Sequence, residues 1–400
     1  MVKGIFCHDL PVYRDCNGDY CSTTLTDDLF RRYFDAVDEL TVATRVYKLD
    51  CTYAEAHQEK ITLPNIRFLE FPNLNKPQYV FTLIPQAQKT MDEEIAKTDL
   101  IFIRGGTIAA MAVKSARKLH KPYLREAAGC AWDEYWNHSL TGKLIAPYKE
   151  LSARRGIRNA DYVIYVTEKW LQNRYPTKGQ STYASNVILK EIDPEAVEKR
   201  KHRMEKFDVG GTWVLGTTAG VNTRAKGQQF VIEAMARLKD EIDIRYELVG
   251  TGDNSYLKSV AQKFGVEDRV VFKGELSHAE VLNWLETIDL YIQPSMQEGL
   301  PRALIEAMSK ACPAIGSTTA GIPELLEPEM IFRRGNVREL VERLRQMKNE
   351  DWLSHGIRNY EKSREYQIDL LNARRRKLYQ RYRDDVMNGR QEPGNGTTNK

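Results

Sequence analysis

The sequence predicts an α/β protein made of two doubly wound parallel-sheet domains facing each other across a cleft. Three observations carry this. The chain has 400 residues, more than one ordinary core accommodates, so two domains of about 150–200 residues are expected. Short apolar runs alternate with longer helical patterns, the signature of βαβ units and parallel sheets. The stretch "LKEIDPEAVEKRKHRMEKFD" (189–208) is charged and lacks apolar continuity, so it reads as the place of an interdomain linker.

Taken in order, the first series offers strands at "GIFCH" (4–8), "ELTVATRV" (39–46), "DLIFIRG" (99–105), "KPYLRE" (121–126), "ADYVIYVT" (160–167) and "STYASNVI" (181–188), with helical stretches at 106–119 and 141–158. The second offers "TWVLGTT" (212–218), "RYELVG" (245–250), "RVVFKG" (269–274), "LYIQPS" (290–295) and "CPAIGS" (312–317). The expected divisions are 1–195, 196–350, a helical region 351–388 packing back on the first domain, and a disordered tail 389–400 rich in Gly, Asn and Thr. Within the helical region, "ARRRKLYQRYR" (373–383) mixes basic residues with Leu378, Tyr379 and Tyr382. It reads as a solvated face packed through its aromatics, with a membrane-surface patch as the alternative.

Composition narrows the class without deciding it. A formal net charge of +4 with 28% charged residues permits an anionic ligand or a membrane surface and gives no argument for nucleic-acid binding. Six cysteines are too sparse for a disulfide scaffold, and none has zinc-ligand spacing, so a reducing cytoplasm is expected. No apolar run reaches the length of a spanning helix. The protein is therefore expected to be soluble or peripheral at the inner face of a membrane.

The chemistry concentrates in "EGLPRALIEAM" (298–308). A strand precedes it, a loop carries Glu298 and Gly299, and Pro301 suits a first helical position because its missing N–H is not needed there. The helix start offers free N–H groups and the positive end of a dipole, which suit a phosphate or a sugar hydroxyl. Glu306 lies about five residues in, roughly 7.5 Å along the axis. A carboxylate accepts two hydrogen bonds and so grips vicinal hydroxyls; two of them around a phosphate-binding turn could hold the two sugars of a sugar nucleotide. In "AGVNTRAKGQQFVIEAM" (219–235), Lys226 stands at a strand–loop–helix junction where it could neutralise a diphosphate, although the P-loop spacing is absent.

The combination of "TTAGVNTRAKG", "YELVGTGD", "VVFKGEL", "LYIQPSMQEGLPRALIEAMSKACPAIGS" and "TAGIPELL" resembles the retaining glycosyltransferases of family 4, of the GT-B fold, over about residues 210–345, with Glu298 and Glu306 matching the family's E-x7-E motif. The resemblance implies a nucleoside-diphosphate-sugar donor, most commonly a UDP-sugar, in the C-terminal domain and a glycan or lipid-linked acceptor in the N-terminal one. By that analogy Glu306 holds the ribose, Glu298 with Gly299, Leu300 and Pro301 the transferred sugar, and Lys226 the diphosphate. Gly250 and Gly274 close the strand-to-loop turns facing the nucleotide, and Gly18 approaches the diphosphate from across the cleft. A family Arg ahead of Lys226 is replaced by Gly220 and Val221, with Arg224 as the nearest substitute. The family's acceptor-domain His is also missing from "LREAAGCAWDEYWNHS", where Glu126 and His138 are the candidates for that catalytic position. The outcome implied is retention, with no cofactor and no metal. The competing readings are a nucleotide-sugar 2-epimerase or a phosphorylase on the same fold, a non-catalytic partner subunit, and a glycoside hydrolase.

Overall fold

The computed structural model describes residues 1–74 and 82–389; the expected tail beyond Gly389 lies outside the described residues. Among them, the N-terminal half forms a sheet from β1 (Lys3–Arg14), β2 (Tyr20–Ser22), β3 (Glu39–Lys48), β4 (Glu59–Lys60), β5 (Ile66–Phe71), β6 (Leu100–Ile103), β7 (Leu124–Ala127), β8 (Tyr162–Tyr165) and β9 (Gln180–Tyr183). Its parallel core runs in the order β5-β3-β1-β6-β7-β8-β9. The C-terminal half forms a second parallel sheet from β10 (Trp213–Thr218), β11 (Ile244–Val249), β12 (Val270–Gly274), β13 (Leu290–Gln293), β14 (Ala314–Ser317) and β15 (Ile331–Phe332), in the order β12-β11-β10-β13-β14-β15. Central strands such as "LIFI" and "YVIY" are buried at every position, as expected for sheets covered by helices on both faces.

Two strand-order reversals position the site. In the C-terminal sheet the order turns between β10 and β13, and in the N-terminal sheet between β1 and β6. The crevice outside the carboxyl ends of strands at such a reversal is where open α/β sheets receive ligands.

The structure extends the sequence reading in three places. Strand β1 runs past residue 8 through an irregularity between Cys7 and Pro11, and its far end pairs with β3 on one side and antiparallel β2 on the other. The following turn is pinned by Asp15, which accepts the backbone N–H groups of Asn17 and Asp19, and Cys16 is joined to Cys51 by a disulfide. A bridge between residues 35 apart leaves no local pattern to read. Strand β5, "IRFLEF", escaped the reading because Arg67 and Glu70 break its apolar run; it is the edge of the sheet, and these two residues face water.

Within 189–208, residues Ala196–Met204 form a helix anchored by Arg200, whose buried guanidinium donates to the carbonyls of Ile288 (2.6 Å) and Leu285 (2.9 Å). The helix Trp352–Ser363 packs against this helix and against Arg302–Ser309. The last helix, Ile368–Gly389, crosses back to the N-terminal domain and buries Leu371, Leu378, Tyr379 and Tyr382 there. The Tyr382 hydroxyl donates to the Pro122 carbonyl (2.8 Å) and accepts the Ile101 N–H (2.9 Å), so the aromatics of 373–383 are core side chains.

The domains touch beside the cleft. The Glu324 carboxylate accepts the N–H groups of Glu168 (2.7 Å), Lys169 (3.1 Å) and Trp170 (2.5 Å), placing negative charge at the start of a short N-domain helix. Arg334 pairs with Asp133 at 3.1 Å.

Candidate active site

A cleft of about 860 Å³ opens between the domains. From the C-terminal domain it is lined by Glu298, Gly299, Leu300 and Arg302, in the loop and first helical residue after β13. Pro301 serves as the residue just before the helix Arg302–Ser309, one position earlier than expected. Lys226 follows β10 in a short 3-10 turn. Because β10 and β13 are neighbours at the reversal, two loops 72 residues apart in sequence meet, and Lys226 Nζ donates to Glu298 Oε1 at 2.7 Å. The Glu298 carboxylate is nearly buried and also accepts from Gln293 Nε2 at 3.2 Å. Lys226 remains about one-third exposed, and an ammonium has further donors to offer.

Glu306, one turn into the same helix, is mostly buried and faces His278 at 3.6 Å. The Glu306 carboxylate raises the pKa of His278 above the ordinary imidazole value, against a smaller opposing effect of burial. His278 begins the helix His278–Thr287 that follows β12. Sequence reading did not single it out, since only the fold brings this helix start to Glu306. Gly250 has φ +150°, and a Cβ there would fall 2.1 Å from the Ala219 carbonyl oxygen, so the turns after β11 and β10 close on each other only with glycine present. Its N–H donates to the Gly274 carbonyl at 2.9 Å. Arg224 lies outside the cleft lining, its guanidinium 4.1 Å from the centre of the Tyr256 ring; Arg302 is the cation that the C-terminal domain contributes to that lining.

From the N-terminal domain the cleft takes His8 and Asp9 at the irregularity within β1, and residues at the carboxyl ends of the following strands: Gly105 and Gly106, Glu126 to Gly129, and Asn186. Asp9 accepts the N–H groups of Thr107 and Ile108, both at 2.7 Å, and so occupies the start of the helix Thr107–Lys118. His8 Nδ1 lies 3.2 Å from the Gly105 carbonyl. A carbonyl only accepts, so this nitrogen carries the proton and Nε2 keeps its lone pair. Burial, reinforced by Arg104, pushes the His8 pKa down to about 3, leaving the ring neutral at neutral pH. His8 is thus an imidazole in the cleft that the sequence reading passed over; its place as the last residue of the apolar run "GIFCH" (4–8), where the pairing of β1 with β6 has just ended, was the available signal.

Of the residues read from the sequence, Glu126, Glu298, Gly299 and Leu300 line the cleft, whereas Lys226, Gly250, Gly274, Pro301 and Glu306 stand outside that lining; Gly18, His138 and Glu126 differ further. Gly18 sits in the β1–β2 turn and does not line the cleft, because β1 continues well past the sheet's crevice before turning. His138 is exposed in the junction before the helix Leu140–Arg158 and is likewise outside the lining. Glu126 does line the cleft, but its carboxylate accepts from Arg104 Nη2 (2.7 Å), Arg32 Nη2 (2.9 Å), Tyr33 (2.7 Å) and Tyr379 (3.1 Å). Burial alone would raise its pKa; Arg32 and Arg104 outweigh that and hold it far below the usual carboxylate range. A carboxylate so fully bonded is poorly suited to take a proton, and it organises this wall of the cleft instead.

Comparison with known proteins agrees with the geometry. Residues 212–364 match the family described as Glycosyl transferases group 1. The chain is similar to Protein CapJ of Staphylococcus aureus, 31% identical over 350 residues that cover 84% of each chain. It is also similar to the putative colanic acid biosynthesis glycosyltransferase WcaL of Escherichia coli K12, 32% identical over 133 residues, 30% of this chain and 33% of that one. In fold it resembles sucrose-phosphate synthase from Thermosynechococcus elongatus, with TM-score 0.66 and 16% identity over 95% of this chain and 99% of the other. It likewise resembles Anabaena Alr3699/HepE in complex with UDP, with TM-score 0.62 and 18% identity over 93% and 98%. With both parallel-sheet domains, the reversal-point loops and these relatives in view, the chain belongs to the group 1 glycosyl transferases and is a glycosyltransferase of the GT-B fold.

Proposed function

We propose that the enzyme transfers a sugar, with retention and without a metal, from a UDP-sugar to a hydroxyl of a glycan or lipid-linked acceptor in bacterial polysaccharide assembly. The observation that carries this is the meeting of Lys226 and Glu298 at the β10/β13 reversal, directly before the helix start at Arg302. The preference for UDP and for a polysaccharide product is supported by the UDP bound to the Anabaena neighbour and by the colanic acid and amylovoran biosynthesis relatives.

In the proposed reaction the bond between the anomeric carbon and the phosphate oxygen breaks while the acceptor oxygen bonds to the same face of that carbon. The acceptor proton passes to the departing phosphate. Lys226, Arg302 and the helix N-terminus stabilise the charge that develops on that phosphate, and they do so preorganised, with no reorganisation during the step. Glu298 positions the sugar and orients Lys226; Glu306 holds the ribose. His8, neutral and lone-paired at Nε2, accepts a hydrogen bond from the acceptor or the transferred sugar. Closure of the domains completes the site.

The test is nucleoside-diphosphate release from a panel of UDP-, GDP- and ADP-sugars, comparing wild type with Glu306→Ala. Slow release from a UDP-sugar that disappears in the variant is the expected result. Release from another nucleotide only, or equal release by both proteins, contradicts the reading; conversion of the sugar nucleotide to an isomer would show a 2-epimerase.

A further inference from the structure

The N-terminal domain carries an apolar face that no other element covers among the described residues. Half of the most exposed large apolar side chains among the described residues fall between Trp136 and Leu151. Leu140 (80% exposed), Leu144 (82%), Tyr148 (71%) and Leu151 follow each other at intervals of four, four and three along the helix Leu140–Arg158, so they form a single stripe. Arg155 and Arg158 continue that stripe toward the helix end, and Lys143 and Arg154 flank it; all four are exposed. The helix has one acid, Glu150, which is buried and neutralised by Arg154 and Arg174, both at 3.0 Å. Trp136, stacked on Trp132 with ring centroids 5.0 Å apart and overlain by Lys143, extends the face at its N-terminal end.

An apolar stripe edged by cations, with Trp and Tyr among its members, has the composition of a helix lying in a bilayer interface beside anionic headgroups. A water-facing helix would present its charges where these leucines stand. The opposite edge of the same helix, through Lys149, Ser152, Ala153 and Gly156, lines the cleft. A Cβ on Gly156 would meet nothing within 4 Å, so the wall is open at this point.

We propose that the helix Leu140–Arg158, together with Trp136, docks on an anionic lipid bilayer, and that a lipid-borne acceptor reaches the cleft along the edge this helix supplies. The acceptor part rests on the transfer reading above; the docking part stands on the exposed face alone. The basic stretch 373–383 is not the docking element, since its Leu378, Tyr379 and Tyr382 are buried in the N-terminal domain.

The experiment is co-sedimentation of the full chain with phosphatidylcholine vesicles, with and without phosphatidylglycerol, for wild type, Leu144→Asp and the double variant Lys143→Ala/Arg155→Ala. Binding to the anionic vesicles only, weakened about tenfold or more in each variant, is expected. Wild type that stays in the supernatant, or Leu144→Asp that binds as wild type does, overturns the proposal. So does a wild-type dimer that Leu144→Asp dissociates in the absence of vesicle binding, which would make the face an interface between copies. UDP titration of the same preparations separates the two claims: absence of UDP binding alongside intact vesicle binding removes the transfer reading and its acceptor corollary and leaves docking supported.

Discussion

Gly299 of the C-terminal domain lies so close to Ala128 of the N-terminal domain that a Cβ on the glycine would fall 2.0 Å from the Ala128 carbonyl oxygen. The glycine carbonyl in turn accepts the Gly321 N–H at 2.9 Å. The loop that carries Glu298 thus also packs directly on the backbone of the other domain.

Gly299→Ala should hold the domains apart, because the added methyl group meets backbone that cannot swing aside. Overpacking of this kind costs about 1–3 kcal/mol. Small-angle scattering should report a larger radius of gyration, and the rate of transfer should fall; identical scattering and rate would contradict this packing.

Lys226→Ala removes the partner of a nearly buried carboxylate as well as the proposed phosphate ligand. Turnover should drop by about 10²–10³-fold, the loss typical of one preorganised charge-stabilising donor, while Lys226→Arg should retain part of the rate. Steady-state kinetics with a UDP-sugar and acceptor decides this, and an unchanged rate in the alanine variant removes Lys226 from the mechanism.

His278 should titrate above 6.5, its ordinary value, because of Glu306. The sign follows directly: a raised folded value means the pairing stabilises fully below the unfolded pKa and is lost as pH rises through the folded one. NMR titration of the His278 ring should show its midpoint drop in Glu306→Gln. An unmoved midpoint would mean that the two side chains do not interact in solution.

Glu126→Gln leaves the guanidiniums of Arg32 and Arg104 buried without their shared charge. Breaking a buried pair from one side costs about 3–5 kcal/mol, so thermal unfolding of the variant should come at a clearly lower temperature. The depressed pKa gives the matching pH dependence: the charge contributes stability above the ordinary carboxyl value of 4.5 and loses it as pH falls through the folded value. Equal melting temperatures at neutral pH would show that the network relaxes without loss.

How much was readable from residues alone differs between the two halves, for a physical reason. In the C-terminal domain the proposed donor residues Lys226, Glu298 and Glu306 lie in or just beyond loops that directly follow their strands, so local pattern alone singles them out, along with the alternation that makes two doubly wound sheets. Pairing Lys226 with Glu298 required β10 and β13 to lie side by side, and pairing Glu306 with His278 required a helix start from a third loop to reach the same wall. In the N-terminal domain the wall of the cleft is built by side chains far apart in sequence. Glu126 is bonded by Arg32, Arg104 and Tyr379, the last from the returning C-terminal helix, so whether it is a free base or a buried hub depends on packing that no local spacing encodes. Gly18 stands outside the cleft lining because strand length is set by pairing partners, and β3 and β2 carry β1 beyond the crevice. The sorting of leucines and tyrosines followed the same logic. The aromatic stretch 373–383 is covered because a sheet lies beneath it, whereas the stripe from Leu140 to Leu151 is exposed, with no element against it among the described residues.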